Sequence, residues 1–247
     1  MATTDRTRAT QRVPMDSLRK TALVAGVLYL ITFSSIPILG LYAGAGDPNF
    51  AAGPGPDTPI IIGCILELIV ALAGIGTAVA LYPVVKRQNE GIALGVVGAR
   101  ILEAGTMFAG VACMLALVTL RQAGEGANAL ATGQTLYALH NWFFIGQNLM
   151  PAANALLLGS LMYQSRLVPR ALPIMGFIGA PLLIASTVAT IFGLNDLFSA
   201  WSGLAALPVA AWEFSLGLRL TFKGFKPSPI TAGMGRAGSR ATHRDAG

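Results

Sequence analysis

Charge is what this sequence holds least of. Only 11 % of its 247 residues are Asp, Glu, Lys or Arg, against about 25 % in a soluble globular domain. A surface facing water cannot be built from so few charges, so an ordinary soluble fold is excluded. Disorder over most of the chain is excluded as well, because disordered segments are poor in hydrophobic residues. Here 54 % are hydrophobic and the mean hydropathy is +0.64. Cysteine is scarce: Cys64 and Cys113 both lie in apolar runs, which implies buried thiols rather than a disulfide framework. His243 lies in the C-terminal tail, leaving His140 as the one histidine in an apolar segment. A bis-histidine haem therefore cannot come from a single chain. GxSxG, HExxH, CxxC and P-loop patterns are all missing. No catalytic residue, metal or cofactor is implied, and an enzyme is the least supported reading. The net charge of +6 does not indicate nucleic acid. The basic residues fall in tails and short loops, with no basic face interleaved with aromatics.

Long apolar runs take the place of charge. A spanning helix needs roughly 20 mainly apolar residues, and six segments qualify or nearly so, at about 21–42, 60–85, 92–120, 134–162, 170–193 and 199–222. Lipid cannot satisfy exposed backbone amides, so each must be helical. A transmembrane barrel would instead show short period-two alternation. The expected fold is all-α, a polytopic transmembrane bundle of six helices over 18–225, with disordered basic tails at 1–17 and 226–247. The 43–59 linker is Gly/Pro-rich and cannot be helical throughout. A second linker spans 121–133 and includes Gly124, Glu125, Gly126 and Gly133.

Lysine and arginine set the expected orientation. Arg6, Arg8, Arg12, Arg19 and Lys20 precede the first span. Lys86 and Arg87, then Arg166 and Arg170, fill the second and fourth loops. Lys223, Lys226, Arg236, Arg240 and Arg244 follow the last span. The other loops offer only Arg121. Six spans place every basic segment on one face, which should be cytoplasmic, with both termini there. The basic start and Ala43-Gly44-Ala45 loosely resemble a cleavable signal peptide, but the apolar stretch exceeds the usual 7–15 residues of one.

Glu67, Arg100, Glu103, His140 and Glu213 fall inside predicted spans. A charge at mid-membrane costs roughly 2.5–3.5 kcal/mol on insertion scales and usually pairs internally or marks function. Glu67 shares a helix face with Gly63, Ala71, Gly74 and Ala78; Glu103 with Gly95, Ala99, Thr106 and Gly110; Glu213 with Ala206, Ala210 and Gly217. Such small-residue stripes should face into the bundle. Depth within the spans lets Arg100 meet Glu213, with Glu103 one turn away to share it, and makes Glu67 and His140 a second candidate pair. On the fourth span His140, Gln147 and Asn154 recur every seven residues, with Asn141 and Asn148 beside them. Together with Pro151 they form a polar stripe that either lines a cavity or joins helices by amide hydrogen bonds.

Ala99-Arg100-Ile101-Leu102-Glu103-Ala104, Leu136-Tyr137-Ala138-Leu139-His140-Asn141, Ser165-Arg166-Leu167-Val168-Pro169-Arg170 and Glu213-Phe214-Ser215-Leu216-Gly217-Leu218 resemble segments of a bacterial integral membrane protein family, domain of unknown function 4386. So does the opening Ala25-Gly26-Val27-Leu28-Tyr29-Leu30, and the likeness covers roughly 18–225. Arg219 departs from the apolar or aromatic residue expected there. The resemblance implies a bacterial inner-membrane protein and no activity, and it marks Arg100, Glu103, His140 and Glu213 as the positions to test. The expected partner is the lipid bilayer, with a small ligand or a proton as candidate occupant of the polar site, in transport or in sensing. Arg100 would serve as anion-recognising group or counter-charge, Glu103 and Glu213 as titratable partners, and His140 as a proton or hydrogen-bond donor. The rival expectation is a structural or assembly role in which these groups only fix helix packing. The sequence leaves the oligomeric state open.

Overall fold

The computed structural model describes residues 17–53, 55–124 and 126–232. Helix α1 (Ser17–Thr32) passes through a 3-10 turn (Phe33–Ser35) into α2 (Ile36–Tyr42) and a second 3-10 turn (Ala43–Gly46). Together they make one rod. Then follow α3 (Thr58–Val85), α4 (Glu90–Ala123), α5 (Gly126–Ser165), α6 (Ala171–Ile191) and α7 (Ala200–Phe222). No strand occurs among the described residues, and the fold is a six-helix membrane bundle. Ser17–Gly46, α3, α4 and α6 are each long and apolar enough to cross a membrane. The other two rods, α5 and α7, carry Asn, Gln, His and Glu side chains on their length.

Local chemistry sets the helix ends. The Asn89 side chain accepts from Ile92 N at 3.0 Å and caps α4, and Ser199 caps α7 through Ser202 N, as short polar side chains do at N-termini. Gly124 ends α4 in the left-handed region, at φ 70°, where a glycine carries no steric cost. The 121–133 linker is far shorter than composition implies, because α5 is already helical at Gly126; Glu125 lies outside the described residues. Arg121 has a definite task. Its guanidinium donates to Gly53 O at 3.1 Å, Gly55 O at 2.5 Å and Asp57 Oδ1 at 3.1 Å, and lies over the Phe50 ring. It thereby clamps the Gly/Pro loop to the end of α4. The expected disordered tails lie mainly outside the described residues, at 1–16 and 233–247. The chain nevertheless stays anchored past 225: Lys226 N donates to Leu167 O at 2.8 Å and Ser228 Oγ to Ser165 O at 2.6 Å.

The six rods form a ring in chain order. Neighbours pack α1 on α3, α3 on α4, α4 on α5, α5 on α6, α6 on α7, and α7 closes on α1. Small residues let the axes approach. A Cβ at Gly26 would lie 2.5 Å from Thr221 N, and one at Gly179 would lie 2.7 Å from Val209 N. The Arg19 guanidinium reinforces the closure by donating to Leu220 O and Thr221 O, carbonyls at the end of α7 that lack helical partners and favour a cation. Gly159 and Ala155, a small-xxx-small pair, face Phe177 and Gly176 of α6, so that motif serves packing within the chain.

The interior is divided. One cluster, around Tyr29, Leu81, Val84, Leu158, Leu161, Trp212, Leu216 and Leu220, fills the ring at the end bearing Lys86, Arg166 and Lys223. A second, around Tyr42, Ile60, Cys64, Val111, Met114 and Leu117, lies toward the far end. That cluster draws mainly on α2, α3 and α4 and leaves the far halves of α6 and α7 apart from it. Trp142 and Trp201 are exposed, while Trp212 is wholly buried. Of the two thiols, Cys64 is buried and Cys113 half-buried.

Candidate functional site

The space between the two packed clusters is a cavity of about 650 Å³. All six rods contribute to its wall, and every charged residue expected inside the spans opens onto it.

The deeper end is built around Arg100. The small-residue face of α4 turns its side chain inward, where it is 2 % exposed and passes the backbone of Gly74 on α3, whose Cβ would lie 3.9 Å from Arg100 Cδ. Arg100 Nη1 donates to Glu103 Oε2 at 2.8 Å, one turn along α4. Arg100 Nη2 donates to Glu213 Oε1 of α7. With the Asn154 amide oxygen turned to the guanidinium, it accepts from Nη2 at 2.9 Å and Nε at 3.1 Å. The Tyr29 ring lies 5.4 Å from Arg100 Cζ. The guanidinium is thus engaged on every nitrogen and joins α4, α5 and α7. The carboxylates are not: Glu103 and Glu213 each give one oxygen to Arg100 and line the cavity with the rest. The depth argument from sequence anticipated this trio, and added Asn154 only as a member of a stripe.

The second cluster is centred on Glu67. Gly110 lies ten residues along α4 from Arg100, about 15 Å at 1.5 Å per residue, and marks its level. Tyr42 Oη donates to Glu67 Oε2 at 2.9 Å and Gln147 Nε2 donates to Oε1 at 2.7 Å. Both carboxylate oxygens are therefore hydrogen-bonded, as a buried anion requires. His140 stands beside them without forming the ion pair that depth alone implied. Its Nδ1 lies 3.2 Å from Gly110 O, and its ring meets Tyr42 edge-on at 5.1 Å. Gly110 makes room: a Cβ there would sit 3.1 Å from His140 Nδ1 and 3.7 Å from Glu67 Oε1.

The stripe on α5 runs along the wall between these clusters. Gln147 serves Glu67 and Asn154 serves Arg100, while Asn141 and Asn148 line the cavity. Asn141 Oδ1 is buried with no hydrogen-bond partner among the described residues. Pro151 lacks the N–H that would bond Gln147 O, leaving that carbonyl without its helical donor. Glu67, Glu103, Glu213 and His140 do not converge on one point: the α4 and α7 acids gather at Arg100, and the other two lie toward the far end.

Sequence reasoning missed two contributors. Tyr42 holds Glu67 yet lies at the end of an apolar run, where its hydroxyl carries no spacing signal. A hydroxyl and amide group at the far end was missed too. Asn195 Nδ2 donates to Ser202 Oγ at 2.7 Å and Ser199 Oγ donates to Asn195 Oδ1 at 2.6 Å. Ser186, Thr187 and Thr190 of α6 line the cavity beside them. In sequence Asn195 marks only a turn.

The geometry describes a cavity with a mainly apolar lining and two hydrogen-bonded polar clusters. It can shelter a small molecule, hold a proton on a carboxylate, or lock four helices together. No curated protein and no solved structure matches the chain. The sequence of residues 24–224 matches a family described as a domain of unknown function, DUF4386, and the chain belongs to that family.

Proposed function

We propose that this protein binds a small ligand inside the membrane, in transport or in sensing, and that the cavity between Arg100 and Glu67 is the binding site. One observation carries the reading: about 650 Å³ of space lies where both charged clusters meet, within the 300–1,000 Å³ of ordinary ligand pockets. A bundle that used its charges only for packing would close on them. The residues assigned are Glu103 and Glu213 as ligand- or proton-accepting carboxylates, Arg100 as their counter-charge, and Glu67 with His140 as a second polar station. Asn141, Gln147, Asn148 and Asn154 form the wall.

The setting supported best is a bacterial plasma membrane with both ends of the bundle's chain on the cytoplasmic side. Arg19, Lys20, Lys86, Arg87, Arg166, Arg170, Lys223 and Lys226 gather at one end of the ring. The other end carries Asp47, Asp57 and Asp196, with Arg121 held by Asp57. The cavity then faces the external side, because the buried leucines and Trp212 close the basic end.

The test is a ligand screen on protein in nanodiscs, read as thermal stabilisation. A ligand that binds the folded state raises the melting temperature with concentration. Ala210→Phe, which fills the cavity from α7, should abolish the shift and leave the unliganded melting temperature within a few degrees. A structural role has its own support, since every nitrogen of the Arg100 guanidinium is hydrogen-bonded. It prevails if no compound class shifts the melting temperature and R100M/E103L/E213L keeps both the fold and the cellular phenotype.

A further inference from the structure

We infer that the cavity admits amphiphilic cations sideways from the lipid, through a gap between α2 and α7, and seats the cationic head on Glu213 and Glu103. This rests on the cavity being a ligand site and names its ligand class and access route.

The gap follows from the break in the first rod. Up to Thr32 that rod packs on α7 and closes the ring; beyond the 3-10 turn at Phe33–Ser35, α2 packs on α3 instead. The ring therefore parts on the far-end side of the break. Ile36 and Leu39 line the cavity yet are 65 % and 53 % exposed, so the cavity wall there is also the outer surface. Across from them α7 presents Gly203, Ala206 and Ala210, which are small, and nothing lies within 4 Å of a Cβ at Gly203. Phe33 against Phe214 marks the lower edge and Phe144 against Phe198 the far end. Facing lipid, such an opening admits what already resides in lipid.

Charge decides the head group. Arg100 bonds Glu103, Glu213 and Asn154 through all three nitrogens, which leaves at most one of its five N–H groups for an anion. Two carboxylates face that one guanidinium, and Glu67 adds a third acid toward the mouth. Glu103 Oε1 and Glu213 Oε2 take no hydrogen bond among the described residues, and both side chains border the cavity. A cation there neutralises the excess negative charge, whereas an anion meets carboxylate oxygens at low dielectric. Aromatic rings on the path suit a cation as well.

The experiment measures equilibrium binding of radiolabelled tetraphenylphosphonium to the full chain in nanodiscs, against protein-free nanodiscs. Tetraphenylborate, a lipophilic anion measured in a separate sample, should show no saturable binding. Saturable binding of tetraphenylphosphonium is expected, not displaced by tetramethylammonium, a cation without lipophilic bulk. Glu213→Gln should weaken it at least tenfold. Gly203→Trp, which plugs the gap in open space, should do the same, while Leu207→Trp, which points to lipid outside the cavity, should leave it unchanged. Gly203→Trp keeps the test decisive should Glu213→Gln fail to fold. Saturable tetraphenylborate binding of equal affinity, or equal competition by tetramethylammonium, overturns the ligand class, and unaltered binding in Gly203→Trp overturns the access route. Absence of tetraphenylphosphonium binding alongside a melting shift by another compound class sinks this inference and leaves the ligand site standing. Absence of both removes the ligand site as well.

Discussion

Arg100 is the residue on which the interior depends, and its energetics are asymmetric. Removing one member of a buried charge group leaves the others uncompensated, at a cost of about 3–5 kcal/mol, whereas replacing the whole group by apolar residues is often neutral or stabilising. Arg100→Met alone should therefore destabilise the protein by about that amount. R100M/E103L/E213L should recover most of it, measured by thermal melting in a fixed detergent. Additive losses across the three positions would mean that they do not act as one unit. The contact was legible in sequence because helical rise converts residue number into depth, and depth matched Arg100 to Glu213. The same arithmetic placed Glu67 near His140 but misassigned the bond. Depth fixes height along the axis and says nothing about rotation toward a neighbour, and Tyr42 and Gln147 were better aimed at the carboxylate.

Helix contacts are the next scale, and glycine decides several. Gly179 of α6 sits against the backbone of α7 at Val209, and Gly26 of α1 against that of α7 at Thr221. Backbone cannot move aside as a side chain can. Gly179→Ala and Gly26→Ala should each cost about 1–3 kcal/mol by overpacking. Gly40→Ala in α2 is the control, with nothing within 4 Å of the new Cβ. It should be neutral or stabilising by up to about 1 kcal/mol, because alanine is the better helix former. Equal losses at all three positions, read from melting temperatures, would contradict the close packing of α7. The small-residue stripes were visible in sequence as periodicity. The partner of each stripe was not, because period identifies a face and not what it touches. The 3-10 break at Phe33–Ser35 was not read from sequence either: Ser34, Ser35 and Pro37 interrupt the apolar run there, but they say nothing of the packing of α2 on α3.

At the scale of the whole molecule, lipid is the solvent that makes the fold. The basic end and the end bearing Asp47, Asp57 and Asp196 should lie on opposite sides of the membrane. Reporter fusions at 50 and at 195 should read as external, and those at 88 and after 226 as cytoplasmic. Fusions at 50 and 88 reporting the same side would refute the six-span topology. Helix count and the inward facing of Glu67, Glu103 and Glu213 could be read from sequence alone. They follow from local rules: the length of apolar runs, the 3.6-residue period and the cost of charge in hydrocarbon. Tertiary structure alone decided that the rods close into a ring, that the ring parts between α2 and α7, and that a cavity survives beside the charges. Empty space belongs to no residue; it is the remainder left when rigid helices pack around side chains of unequal size, and only their mutual arrangement defines it.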